Sequence, residues 1–402
     1  MREDGKDPRS ETDILPKYDD ETGTVNGEGA PDGNAHTDKT ETDEEKENVI
    51  GRQLKRKALW SVAALILAVL SVWAVASQAR TLTEGSVIRD LKHLKPGWTV
   101  CAALSMIGFI WFEGEAIRAI LQGLEIRIPY RRGFLYAAGD VYFSAITPSA
   151  SGGQPASAFF MMKDGISGAM TTAVLVMNLV FYTEALLASG IIGVLCFPGV
   201  WQCFSILSKI LIVFGCVVIA GLAIGFHLFL RMPGMLEKAW MTCIHIGYRW
   251  HLVKQPDKHI KKMHETMDRY RRSVSMMAGQ KRFLTRAFFC NLAQRISMIS
   301  VTVFIYLAQG GKISHILQVW SVQCFGTIGS YCAPIPGGMG VADFLLLDGF
   351  QGILNREAAV RLEILSRGLA FYVCVLISGI AVAIGAVRRY RREKKKETDN
   401  KI

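Results

Sequence analysis

Two stretches of this sequence combine residue types and spacing that could hold an anion inside a membrane. The first is Thr147-Pro148-Ser149-Ala150-Ser151-Gly152-Gly153-Gln154-Pro155, and the second is Ala333-Pro334-Ile335-Pro336-Gly337-Gly338-Met339-Gly340-Val341-Ala342-Asp343. Proline removes a backbone donor and glycine frees the chain from helical dihedrals, so both stretches should break helices. Gly-rich turns that lead into short helices present free backbone N–H groups, which suit a phosphate. No Lys-Ser/Thr pair follows the glycines, which excludes a Walker-type nucleotide loop. A lipid phosphodiester is the natural anion at this depth. The candidate headgroup-binding set is therefore Thr147, Pro148, Ser149, Gly152, Gly153, Gln154, Pro334, Pro336, Gly337, Gly338, Gly340 and Asp343. The plainer alternative is a pair of ordinary loops between spans.

Charges inside apolar spans are costly and mark function. Glu184 and Arg295 fall near the middle of their spans, one in each half of the chain, and are read either as an ion pair joining the halves or as the lining of a hydrophilic pathway. Asp140, Asp343 and Asp348 lie beside the two breaks. Arg367, at the start of the last span, either meets a lipid phosphate or snorkels to the interface. Arg286 reads as an interfacial anchor only.

Other chemistries fail on spacing. His264-Glu265-Thr266-Met267-Asp268 has Asp where a metalloprotease helix needs its second His, so no metal or other cofactor is expected. There is no Gly-x-Ser-x-Gly elbow and no membrane His with a carboxylate partner at a readable spacing. Nine cysteines are scattered, none in a Cys-x-x-Cys pair, and read as small core residues.

The elements that must position the two breaks follow from composition. Half of the 402 residues are hydrophobic, with a mean hydropathy of +0.25, and long apolar runs recur. This predicts an all-α integral membrane protein with about six full spans and two re-entrant Pro/Gly-broken hairpins. The spans are Ala58–Ser77, Trp98–Ile120, Ala169–Phe197, Phe204–Leu230, Phe283–Ala308 and about Ile364–Val387; the hairpins run over 134–162 and 313–354. Residues 1–48 carry 6 Lys+Arg against 16 Asp+Glu, whereas the rest of the chain carries 40 against 19. The basic residues cluster beside apolar runs, which points to anionic headgroups and not to nucleic acid.

The domain reading is a disordered acidic cytoplasmic tail (1–50), a first membrane repeat (51–200), a second (201–390) with a basic cytoplasmic loop at 231–282, and a basic cytoplasmic tail (391–402). Within that loop, residues 258–282 read equally as an amphipathic helix on anionic lipid or as a solvated segment. Placing every basic cluster inside puts both termini in the cytoplasm and makes the two hairpins enter from opposite sides. Three spans and one hairpin per half then form an inverted repeat, whose breaks mark a transport site.

At these two stretches the chain resembles the lysylphosphatidylglycerol synthase transmembrane-region family. That region is the membrane part of the bacterial multiple peptide resistance factor and also occurs as stand-alone proteins. The family's Thr-Pro-Ser-x-x-Gly-Gly-Glu-Pro is matched by Thr147, Pro148, Ser149, Gly152, Gly153 and Pro155, with Gln154 in place of Glu. Its Pro-x-Pro-Gly-Gly-x-Gly with a following acid is matched by Pro334, Pro336, Gly337, Gly338, Gly340 and Asp343, and Arg367-Gly368-Leu369 is similar to a third family feature. The resemblance implies a bacterial cell-membrane protein that moves phosphatidylglycerol or its aminoacyl derivatives between leaflets, with a role in resistance to cationic antimicrobial peptides and a separate lipid synthase as a partner. It also implies an alternative, lysyl-tRNA-dependent phosphatidylglycerol lysyltransferase. The 15 residues after the last span and the loop of about 52 residues are too short to fold a transferase domain, so enzyme activity is not expected here. A third reading is a lipid-binding scaffold that does not transport.

Overall fold

In the computed structural model, the residues described are 94–147, 151–232, single positions between 234 and 242, 256–331 and 340–399. The expected acidic tail and first span, and the site candidates Pro148, Ser149, Pro334, Pro336, Gly337 and Gly338, lie outside the described residues. The described residues form ten helices of eight or more residues and no strand: α1 (Pro96–Gly123), α2 (Tyr130–Ile146), α3 (Gly153–Lys163), α4 (Gly168–Cys196), α5 (Ile206–Arg231), α6 (Pro256–Gly279), α7 (Lys281–Ala308), α8 (Ile316–Ser330), α9 (Val341–Gly349) and α10 (Arg356–Asp399). The protein is all-α. Five of these helices, α1, α4, α5, α7 and α10, are long and apolar enough to cross a membrane.

Local chemistry sets the ends of these helices. Pro96 opens α1 with a φ already helical and a missing N–H that would have had no partner. Ser167 and Ser205 cap α4 and α5 by accepting from the N–H of Met170 and Ser208, each at 3.4 Å. The Asn355 side chain accepts from Ala358 N at 2.8 Å at the head of α10. Gly310, at φ 90°, turns the chain out of α7.

Helices α1 and α7 pack along each other and form the centre of the bundle, with α4 against both. The pair α2–α3 folds back on itself against α1, α4 and α10, while α8–α9 does the same against α4, α5, α7 and α10. At 11 and 9 residues, α3 and α9 rise only about 16 and 14 Å, roughly half of a ~30 Å hydrocarbon core. Helix α5 has a low share of buried residues and exposes Ile206, Ile210, Val213, Phe214 and Val217, the surface expected against lipid tails.

Helix α6 settles the two readings of the basic loop differently from either. The segment is a helix, but Met263, Met267, Tyr270 and Met277 are buried on the bundle, chiefly against α4. Its apolar stripe is spent on protein contact and not on a lipid surface.

Helices α1 and α2 touch through glycine. A Cβ on Gly114 would lie 2.8 Å from the backbone carbon and oxygen of Gly133. Gly114→Val is therefore expected to push α1 from α2 and cost about 1–3 kcal/mol, read as a lowered thermal midpoint in detergent micelles; an unchanged midpoint would mean the helices separate freely.

Candidate functional site

The buried apolar residues fall into two clusters, and Glu113, Asp140, Gln294 and Arg295 lie between them. Along α1, Ala102, Met106 and Ile110 belong to one cluster and Ile117, Ile120 and Leu121 to the other, with Glu113 between. Along α4 the first residues through Val180 belong to one cluster and Leu186 to the other, with Tyr182 between. On α7, Ala287 and Ile299 flank Asn291, Gln294 and Arg295. A polar layer thus crosses the bundle.

Its first part surrounds the break between α2 and α3. Asp140, on α2 and 8% exposed, accepts from Gln154 Nε2 at 2.6 Å and from Ser144 Oγ at 3.2 Å. Glu113, 7% exposed, accepts from Gln294 Nε2 at 3.0 Å, and its carboxyl neighbours that of Asp140. The amides of Gln154 and Gln294 each donate there, while their buried carbonyl oxygens have no partner among the described residues. Two carboxyls and two unpartnered amide oxygens make this a cluster of acceptors awaiting a donor. Gly153 makes the cluster possible, since a Cβ there would overlap Asp140 Oδ1 and Ser144 Oγ. The break itself is tied by Thr147, whose Oγ1 accepts from Gly152 N at 2.9 Å.

The second part leads to the other break. Arg295, 4% exposed, donates from a terminal guanidinium nitrogen to Tyr182 Oη at 3.2 Å and stacks on the rings of Tyr182 and Phe109. Tyr182 Oη lies 2.6 Å from Tyr331 Oη, at the end of α8 where the second break begins. Two polar strings, Gln154–Asp140–Glu113–Gln294 and Arg295–Tyr182–Tyr331, start from consecutive residues of α7 and lead one to each break. Arg295 Nε is buried without a hydrogen-bond partner among the described residues.

Beyond the second break, Gly340 (φ 84°) begins α9, and its N–H donates to Asp343 at 3.1 Å. That carboxylate also pairs with Arg367, whose guanidinium reaches Glu363 at 2.8 Å. Two outer ties hold the hairpins. Asp164, after α3, accepts from Tyr136 at 2.7 Å and Arg389 at 3.0 Å. Asp348, in α9, accepts from Ser205 N at 2.7 Å and from Ser208.

Several expectations are corrected. Glu184 and Arg295 make no ion pair among the described residues: the guanidinium goes to Tyr182, and half-buried Glu184 has the His227 side chain as a neighbour. Residues 182 and 184 are two apart on a helix, about 200° around it, so Glu184 faces away from the polar row. Arg367 is held by Asp343 and Glu363, so neither a lipid phosphate nor snorkelling describes it. Arg286 is more than an anchor, pairing with Glu115 at 3.0 Å, which also takes Arg118 at 2.9 Å. The Gly340 N–H, expected to be open to a phosphate, is taken by Asp343. Glu113, Gln294, Tyr182, Tyr331 and Glu363 were missed as site residues. For Glu113 the signal was present, since a carboxylate inside an apolar span is itself a flag.

These breaks, five long apolar helices and the polar row between them agree with one family. The model of the family described as "Lysylphosphatidylglycerol synthase TM region" matches residues 60–378. The chain belongs to the lysylphosphatidylglycerol synthase TM region family. Comparison with curated proteins gave no match. Membership makes this a lipid-related membrane protein, and the matched range includes both breaks and every residue of the polar row.

The Tyr182 hydroxyl is the joint of the row. Tyr182→Phe should cost about 1–3 kcal/mol by leaving Arg295 and Tyr331 short of a partner, and Tyr182→Leu more, because the ring over Arg295 goes too. Thermal unfolding of both variants in micelles checks the order; equal midpoints for all three proteins would remove the joint.

Proposed function

We propose that the protein moves phospholipid between the leaflets of a bacterial plasma membrane, taking anionic or aminoacylated headgroups of the lysyl-phosphatidylglycerol kind. One observation carries this reading, the buried polar row that leads to two helix breaks through the apolar middle of the bundle. A helical anchor has no use for such a row, which is costly in lipid unless a polar cargo or an ion meets it. In this reading the hairpins enter from opposite faces, the halves 51–200 and 201–390 form an inverted repeat, and both termini are cytoplasmic.

The chemistry of the row sorts the headgroup by charge. Arg295, with a buried N–H that has no partner among the described residues, is the group for phosphate oxygens. Glu113, Asp140 and the amide oxygens of Gln154 and Gln294 accept from an ammonium. The lipid tails stay in the bilayer beside lipid-facing helices such as α5, and only the headgroup needs the polar layer. Resistance to cationic antimicrobial peptides is the physiological outcome of placing a lysyl lipid in the outer leaflet.

The family description names a synthase, which favours a second reading in which the chain takes part in lysyl-phosphatidylglycerol synthesis. Purified protein in liposomes with labelled phosphatidylglycerol and lysyl-phosphatidylglycerol separates the readings, scored for leaflet exchange and, with charged lysyl-tRNA added, for new lysyl lipid. The expected result is exchange without synthesis, reduced about tenfold or more (about 1.4 kcal/mol in the barrier) by Gly153→Val and by Asp140→Leu. Synthesis by this chain alone would establish the enzyme instead. Neither activity from folded protein would leave a lipid-binding scaffold.

A further inference from the structure

The charges of the polar layer do not balance. Glu113 and Asp140 bring two carboxyls and Arg295 one guanidinium, all three buried. Neither carboxyl makes an ion pair among the described residues. Glu113 is held by the Gln294 amide, and Asp140 by Gln154 and Ser144. The charge of Arg295 acts on Glu113, but its guanidinium is bonded to Tyr182. With both carboxyls ionised, the layer is one positive charge short. Neighbouring carboxyls in an apolar interior do not both ionise unless a cation joins them.

A second observation points the same way. Gln294 is 2% exposed, and its amide nitrogen holds Glu113, while the oxygen of that same amide is buried with no hydrogen-bond partner among the described residues. The Gln154 oxygen, on the amide that holds Asp140, is in the same state. Unpartnered acceptors beside a carboxyl pair call for a donor, and a donor that carries one positive charge answers both needs. The other titratable groups facing the pair among the described residues are the Cys374 thiol of α10, which neighbours Glu113, and Tyr182 of α4, beyond Arg295. Helices α2 and α3 add the neutral Ser144 and Gln154.

We infer that Glu113 and Asp140 hold one exchangeable proton between them, which leaves when an ammonium headgroup takes its place. This rests on the headgroup reading proposed above and adds what the headgroup is traded for. A lysyl-phosphatidylglycerol headgroup sets two ammonium groups against one phosphate, a net of one positive charge. One proton out for one headgroup in therefore keeps the layer neutral. The carboxyl O–H bond breaks as the headgroup N–H groups bond to the two carboxylates, and the proton goes to water.

Infrared difference spectra of the full chain in micelles at neutral pH, wild type minus variant, read the proton directly. The subtraction removes Glu363, a second buried carboxyl, which lies beside Asp343. Asp140→Asn or Glu113→Gln leaves one carboxylate to balance Arg295, so each difference should show the C=O stretch of one protonated carboxyl lost. Replacing choline chloride by sodium chloride should leave that band in place. In weakly buffered solution with a pH-sensitive dye, lysyl-phosphatidylglycerol should release about one proton per lipid bound. Phosphatidylglycerol, which has no ammonium group, should release none, and neither variant should release any. Should Asp140→Asn fail to fold, Glu113→Gln gives the same reading. No band in the difference, its loss in sodium, or binding of the lysyl lipid without proton release would overturn the inference. Leaflet exchange without the band keeps the transport reading and overturns this one. The band and the proton release without leaflet exchange uphold the proton-for-ammonium trade and overturn transport.

Discussion

The structure depends on a polar layer closed inside an apolar bundle. A polar group buried without a partner costs about 1–3 kcal/mol in a protein interior and more in hydrocarbon. Each helix that contributes to the layer is therefore fixed in rotation, not only in position. Turning α1 by one residue would take Glu113 away from Gln294 and Asp140; turning α4 would part Tyr182 from both Arg295 and Tyr331. The apolar clusters on either side set the depth of the helices, and the layer sets which way they face. Asn291 adds to this restraint, donating to Asn178 across α7 and α4 at 3.0 Å.

Backbone breaks belong to the same constraint. An uninterrupted helix at Gly153 would carry a side chain into the Asp140 carboxyl, so the hairpin closes only because that residue has none. At the other break the geometry is different in kind. Gly340 takes a left-handed φ, and the carboxylate of Asp343 returns to its N–H. The first break is thus a place of close approach and the second a place of reversed turn.

Much of this was legible in the sequence. The spans were, because runs of twenty apolar residues have few alternative explanations; the ends of α1, α4, α5 and α7 fall within a few residues of the apolar runs. The two breaks were, because Pro and Gly act on the backbone locally. The partners of the charges were not. Glu184 and Arg295 sit at similar depths by counting, but depth along a helix says nothing of angle around it, and Tyr182 faces Arg295 instead. Glu113 sits two residues from Glu115 and five from Arg118, near the end of a span, where a charge is ordinary. In space it separates from them, since Glu115 and Arg118 pair at i, i+3 while Glu113 turns to α2 and α7. Gln154 read as the loss of a carboxylate from the first break; Asp140 and Glu113 bring two to it from other helices.

Helix α10 has a mechanical meaning that its length alone does not convey. Arg367 near one end grips Asp343 of the second hairpin, and Arg389 grips Asp164 and the Phe160 carbonyl at the tip of the first. The two arginines are 22 residues apart on one helix without a proline, about 33 Å of rigid rod. Two hairpins fastened to one rod share its slides and rotations, as two gears share an axle. Moving one hairpin along the rod while the other stays still requires letting go of an arginine, so these two ion pairs act as a clutch between the hairpins.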